Sequence, residues 1–201
     1  MIDVMLDDKL NWKKHIECVT GKIAKTTAVL YKSKFTLSTD SLLMVYYALI
    51  YPVFTYCIEI WGSTYKSRIR PILSVQKRCI RIICKAERLA STNVLFRRQK
   101  VLKFEDIVCV RTLLVAHRAF YYKLPLLLQA SFERVNHRYV CRRQNKFQMR
   151  YSRSTISSQS LISVGTKLWN NLPQQISSIE SFHKFKSCVK QYYIAKYSST
   201  G

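Results

Sequence analysis

Catalysis needs side chains that hold metals, move protons or attack, and in this sequence they are scattered. Asp7-Asp8, after Met5-Leu6, looks like the carboxylate pair of a two-metal site. Such a pair needs a hairpin and a third, distant carboxylate, and apart from Glu105-Asp106 the remaining acidic residues are dispersed. Asp7 therefore reads as a turn or cap residue. His137-x-x-x-Cys141 has ligand-like spacing, but no second pair completes a tetrahedral zinc site. His117 has no Asp, Glu or Cys one helical turn away and reads as structural. Cys18, Cys57, Cys79, Cys84, Cys109, Cys141 and Cys188 form no C-x-x-C pair and sit mostly among apolar neighbours, as reduced buried thiols do. No phosphate-cradling Gly loop and no Ser-His-Asp or Cys-His arrangement is present. The expectation is no catalytic residue, no metal, no cofactor and no small-molecule substrate.

What the sequence does concentrate is positive charge. Lys and Arg number 34 against 11 Asp and Glu, a net charge of +23. Such an excess opposes compaction unless a polyanion is nearby, which makes nucleic acid the first candidate partner and an anionic membrane the second. Two stretches carry it. In the first, Lys77, Arg81, Lys85 and Arg88 fall at four- and three-residue spacing with Arg78 beside them, and only Glu87 offers an opposite charge. In the second, between Glu133 and Glu180, no acidic residue occurs, while Arg134, Arg138, Arg142, Arg143, Lys146, Arg150, Arg153 and Lys167 are interleaved with Tyr139, Phe147 and Tyr151. Cations that neutralise phosphates and rings that stack on bases together suit single strands or irregular RNA.

The elements that must position these residues are helical. Only four Gly and four Pro occur, and the apolar periodicities are long. Trp12, Ile16, Val19, Ile23, Thr26 and Leu30 trace one face of a helix that Asn11 can cap. Ser38 or Thr39 caps the next, which Pro52 kinks or breaks and Gly62 ends; apolar on nearly all sides, this segment should be the most buried. A basic helix over 69–88 follows, then a short helix from Ser91 or Thr92 and a long one over 104–123. The SLISVGTKLWNNLP unit is anchored by Trp169, and a final helix presents Phe182, Phe185, Val189 and Tyr192. The predicted domains are a connector at 1–10, a helical bundle at 11–130, a basic exposed arm at 131–160 and a C-terminal unit at 161–197. Leu42 to Ile58 is marginal as a membrane span, since about 20 residues are needed. The acidic start, MIDVMLDD, is not a signal peptide, so the expected location is intracellular, nuclear or cytoplasmic, and not secreted.

In order along the chain, LNWKKHI (10–16), YYALIYPVFTYCIEIWGS (46–63), QKRCIRII (76–83), LKFEDI (102–107), HRYVCR (137–142), SLISVGTKLWNNLP (160–173) and FHKFKSCVKQY (182–192) resemble the C-terminal part of jockey-like non-LTR retrotransposon reverse transcriptases. The likeness extends over about residues 4–193, carried by order and spacing more than by any one motif. It implies an all-α, thumb-like bundle with a basic arm and a C-terminal helix, following a palm whose aromatic-Ala-Asp-Asp motif lies outside this chain. Asp7 then matches a connector position, not the catalytic pair. Cys141 stands where the family's His-x-Tyr-x-Thr-Arg has Thr, a further argument against zinc. Met1-Ile2-Asp3 departs from the family's connector, which implies an internal start or a gene-model boundary.

Charge, pattern and resemblance together predict a non-catalytic grip on template RNA or an RNA-DNA hybrid, with the palm as protein partner. The predicted contacts are Lys77, Arg78, Arg81, Lys85 and Arg88 on the helix, and Arg138, Arg142, Arg143, Lys146, Arg150 and Arg153 on the arm. Two alternatives stay open: a remnant of a decayed transposable element without function, and a basic membrane-associated protein spanning at 42–58.

Overall fold

The computed structural model describes residues 3–121, 124–135 and 146–198. Among them the protein is all-α, with no strand and one isolated antiparallel bridge between Arg134 and Phe147. The chain forms two compact units, residues 1–107 with 194–201 and residues 108–193.

The first unit is built on α1 (Lys13–Ser33). Its buried residues, His15, Ile16, Val19, Ile23, Thr27 and Leu30, recur at the steps of one helix face. Thr27, not Thr26, turns inward: its hydroxyl bonds Ile23 O at 2.7 Å and meets Cys79 Sγ at 3.2 Å. Asn11 serves the helix start from one residue before the cap position. Trp12 holds the cap position in a left-handed conformation (φ 61°), while the Asn11 side-chain oxygen accepts the Lys13 N–H at 3.4 Å and a bond from Arg68. Asp7 is a turn residue, its carboxylate accepting the Asn11 N–H at 2.6 Å.

The next helix, α2 (Thr39–Val45), begins at Ser38, whose hydroxyl accepts the Ser41 N–H at 3.2 Å. A π-helical turn, Tyr46–Ile50, joins it to α3 (Tyr51–Thr55), with the Tyr51 N–H bonded to Tyr46 O. Pro52 accounts for the widening, because it has no N–H to donate and its ring would collide with the carbonyl four residues earlier. The kink or break expected at Pro52 is therefore absorbed in one wide turn. A left-handed Cys57 (φ 51°) leads into α4 (Ile58–Trp61), which stops at Gly62. This stretch is less enclosed than its composition predicts. Leu42, Tyr46, Ile50, Phe54, Ile58 and Trp61 are buried, but Met44, Tyr47, Leu49, Tyr56 and Ile60 are exposed.

Alongside α1 packs α5 (Lys66–Ile83), with Ile69, Ile72, Gln76, Cys79, Ile80 and Ile83 turned inward. Gln76 fixes its rotation. Its Nε2 donates to Tyr46 Oη and to Leu102 O, each at 3.0 Å, and its Oε1 accepts the Phe104 N–H at 2.8 Å. A buried amide with all these bonds made tolerates little rotation, so it also decides which residues of α5 face solvent. After α6 (Thr92–Arg98), α7 (Phe104–Phe120) begins with Phe104 stacked on Trp61 at 5.5 Å.

The second unit contains α7 beyond Ile107, α8 (Leu126–Ser131), α9 (Thr155–Ser158), α10 (Leu161–Asn170), α11 (Gln174–Ser177) and α12 (Phe182–Ala195) as far as Tyr193. Trp169 anchors it, as the sequence suggests: its ring stacks on Phe120 at 5.2 Å and meets Phe147 and Phe185 at 5.7 and 5.8 Å. Gly165 lets the Phe132 ring approach α10, since a Cβ there would sit 3.1 Å from that ring. On α12 the inward residues are Phe185, Val189 and Tyr193, with Tyr193 replacing the expected Tyr192. His117 is structural, fully buried, stacked on Phe185 at 4.2 Å and with Nε2 2.8 Å from Ile179 O.

Candidate nucleic-acid interface

The basic helix is shorter than its sequence pattern suggests, and the way it ends creates the site. The last helical residue of α5 is Ile83. Beyond it the Ala86 N–H bonds Arg81 O at 2.9 Å, the Lys85 N–H bonds Ile82 O at 3.1 Å, and Lys85 is left-handed (φ 52°). This is a Schellman closure with Lys where Gly is usual. Lys85 and Arg88 are therefore not on a helical face; they lie on the turn that folds back from it. The turn is strapped down by Arg81, whose Nε donates to Ala90 O at 3.1 Å, and by the Ala90 N–H bonding Glu87 O at 3.2 Å.

The fold-back encloses an open depression of about 680 Å³ lined by Tyr31, Lys34, Arg78, Arg81, Ile82, Lys85, Ala86, Arg88 and Leu89. Four of the predicted contacts, Arg78, Arg81, Lys85 and Arg88, come together there. Lys77 is exposed on α5 but is not among the lining residues. Lys34 joins the cluster from the end of α1, which sequence reasoning missed. The signal for it was tertiary: the Thr27–Cys79 contact sets the C-terminal ends of α1 and α5 side by side. Lys34 Nζ lies 4.4 Å from the Tyr31 ring and 4.7 Å from that of Phe35.

Five cations thus face one depression, and among the described residues no carboxylate lines it. Helix ends explain part of this. Each C-terminus carries roughly half a negative charge, so the two ends offset about one of the five. The surplus of about four calls for an external anion. Nucleophilic chemistry is disfavoured nearby: burial pushes the Cys79 thiol, on the inward side of α5, up to about 11. Asp106 is held above the usual carboxylate range, first by burial, and it accepts a hydrogen bond from Tyr197. Among the described residues no three His, Cys, Asp or Glu gather as metal ligands. The six described cysteines are free thiols.

The other predicted contacts divide. Arg138, Arg142 and Arg143 lie outside the described residues, as do His137, Tyr139 and Cys141. In the second unit Lys146 lines a recess of about 310 Å³ with Trp169, Asn170 and Pro173. Arg150 pairs with Glu133, and Arg153 is exposed. Phe147, which the sequence offers as a ring for stacking on bases, does not serve that purpose. It is buried, its N–H bonds Asn170 Oδ1 at 3.0 Å, and its carbonyl accepts Asn170 Nδ2 at 2.8 Å. The bridge of Arg134 to Phe147 draws this stretch inward, whereas Tyr151 stays 89% exposed.

Among curated proteins, the chain is similar to a probable RNA-directed DNA polymerase from transposon X-element of Drosophila melanogaster, 27% identical over 108 residues. About half of this chain is therefore similar to part of a transposon polymerase. The matched stretch is 52% of the chain but only 12% of the relative. No family model matches, and no solved structure matches. Among the described residues, no helix is long and apolar enough to cross a membrane.

Proposed function

We propose that this chain is the thumb and post-thumb region of a jockey-like, non-LTR reverse transcriptase, and that it grips template RNA or an RNA-DNA hybrid without doing chemistry on it. The observation that carries the reading is the convergence of Lys34, Arg78, Arg81, Lys85 and Arg88 on a depression that no described carboxylate lines. The similarity to a transposon polymerase supports a nucleic-acid partner. The exposed apolar side chains of Met44, Tyr47, Leu49, Tyr56 and Ile60 suit a packing surface for a palm. Binding through phosphates depends on salt and little on sequence.

A filter-binding titration of the whole chain against RNA and hybrid, repeated in rising salt, tests this. About four neutralised phosphates give a slope of log K against log salt of roughly −3 to −4. Changing Arg78, Lys85 and Arg88 together to Ala should flatten it by about two to three. No binding at low ionic strength overturns the proposal, and an unchanged slope in the triple variant acquits the depression.

A further inference from the structure

Phosphate neutralisation accounts for the cations of the depression but not for what stands among them. Tyr31 is 46% exposed, Phe35 76% and Leu89 92%. Large apolar side chains left in water at the edge of a charged recess gain nothing from a phosphate backbone, which is hydrated and ionic. They gain from flat, apolar ligand surface. Tyr31 and Phe35 are a structured pair, ring centroids 6.2 Å apart at 85°, with the Lys34 ammonium held against both. That arrangement fixes one cation beside two rings. Leu89 sits on the turn that Arg81 straps down, between Arg88 and Ala90, so its exposure belongs to a braced segment.

Resting on the nucleic-acid reading above, and narrowing it, we propose that the depression takes a single-stranded segment with unpaired bases. Phe35, the more exposed ring, provides the stacking face with Tyr31 standing edge-on to it, Leu89 packs against a base from the turn, and Lys34, Arg78, Lys85 and Arg88 hold the flanking phosphates. In a continuous duplex the base faces are covered by their neighbours, and only backbone and groove edges are offered. An unpaired strand presents a phosphate and a π-face at each step, which matches interleaved cations and rings. The ligand class is thus a single strand, or the unpaired part of a junction, in preference to the continuous hybrid.

The test uses the whole chain and fluorescence anisotropy with a labelled single-stranded oligonucleotide and the same sequence fully paired as a hybrid, at one salt concentration. The single strand should bind more tightly. Phe35→Leu and Leu89→Ser, both at exposed positions, should each weaken single-strand binding by about fivefold or more, the lower end of one stacking contact. They should leave hybrid affinity and the salt slope unchanged. A 2-aminopurine placed in the strand should be quenched by the parent protein and less so by Phe35→Leu. Equal affinity for strand and hybrid, or variants that bind the strand as well as the parent, overturns this inference while leaving salt-dependent gripping intact. Failure of both nucleic acids to bind at low salt overturns both readings.

Discussion

The two basic regions of this chain look alike in composition and differ in what their charges do. In the first unit, cations from the end of α1, from α5 and from the turn after it converge, with exposed Tyr31 and Leu89 among them and Phe35 beside Lys34. In the second, several of the described charges and rings are turned to the fold's own use: Arg150 pairs with Glu133, Arg134 lies over the Phe120 ring at 4.1 Å, and Phe147 is in the core, while Arg153 and Tyr151 stay exposed. A run of Arg and aromatics is therefore weak evidence of an interface. What separates the cases is whether the fold supplies partners, and that depends on residues remote in sequence.

The largest expected effect tests the second region's structural role. Phe147→Ala removes a ring that meets Phe120, Phe132 and Trp169. It should destabilise the protein by about 3–5 kcal/mol, read as a lower urea midpoint. A loss below about 1 kcal/mol, accompanied by weaker nucleic-acid binding, would return Phe147 to the role its sequence context suggests and blur the contrast.

Next in size is a matched pair of triple variants. Lys146→Ala, Arg150→Ala and Arg153→Ala should together flatten the salt slope by about one or less, against two to three for Arg78, Lys85 and Arg88. The reason is that these cations do not converge: Arg150 already has a carboxylate neighbour, Lys146 and Arg150 line separate recesses and Arg153 lines neither, although an exposed pair like that of Arg150 contributes less than about 1 kcal/mol to stability. Equal flattening by the two triples would show that both regions touch phosphate.

The stripe of α1, the Ser38 cap and the all-helical class were legible because each depends on residues near one another in sequence, and the Trp169 anchor because a large apolar ring in a short punctuated unit is buried whatever partners the fold brings to it. The basic cluster was half legible for the same reason. Arg78 and Arg81 sit one turn apart, but the path from Ile83 to Leu89 depends on Lys85 adopting a left-handed backbone that periodicity cannot reveal. Lys34 and Tyr31 were hidden because they lie far from Arg78 in sequence and are brought near only by the packing of α1 on α5. Phe147 misled because its burial depends on the Asn170 amide holding both its N–H and its carbonyl. The division into two units falls inside α7, where helical pattern and composition continue without interruption.

The smallest effect is the most diagnostic, because its two readouts should move in opposite senses. At φ 52° Lys85 occupies a conformation that costs a non-glycine residue about 1 kcal/mol or more, at the position where helices usually place Gly. Lys85→Gly should therefore raise the urea midpoint, by a gain of about 1 kcal/mol less whatever extra freedom Gly gives the unfolded chain. The same change removes one phosphate contact and should reduce the salt slope by about one. Lys100 closes α6 in the same left-handed way (φ 53°) and does not line the depression, so Lys100→Gly, expected to stabilise the protein with the salt slope unchanged, is the control. If Lys85→Gly destabilises the protein instead, the Lys85 stem packs on the turn, and its presence needs no ligand. If it stabilises the protein and weakens binding, the strained backbone is retained for the charge it carries, which the second region, with Arg150 already paired to Glu133, has no comparable reason to do.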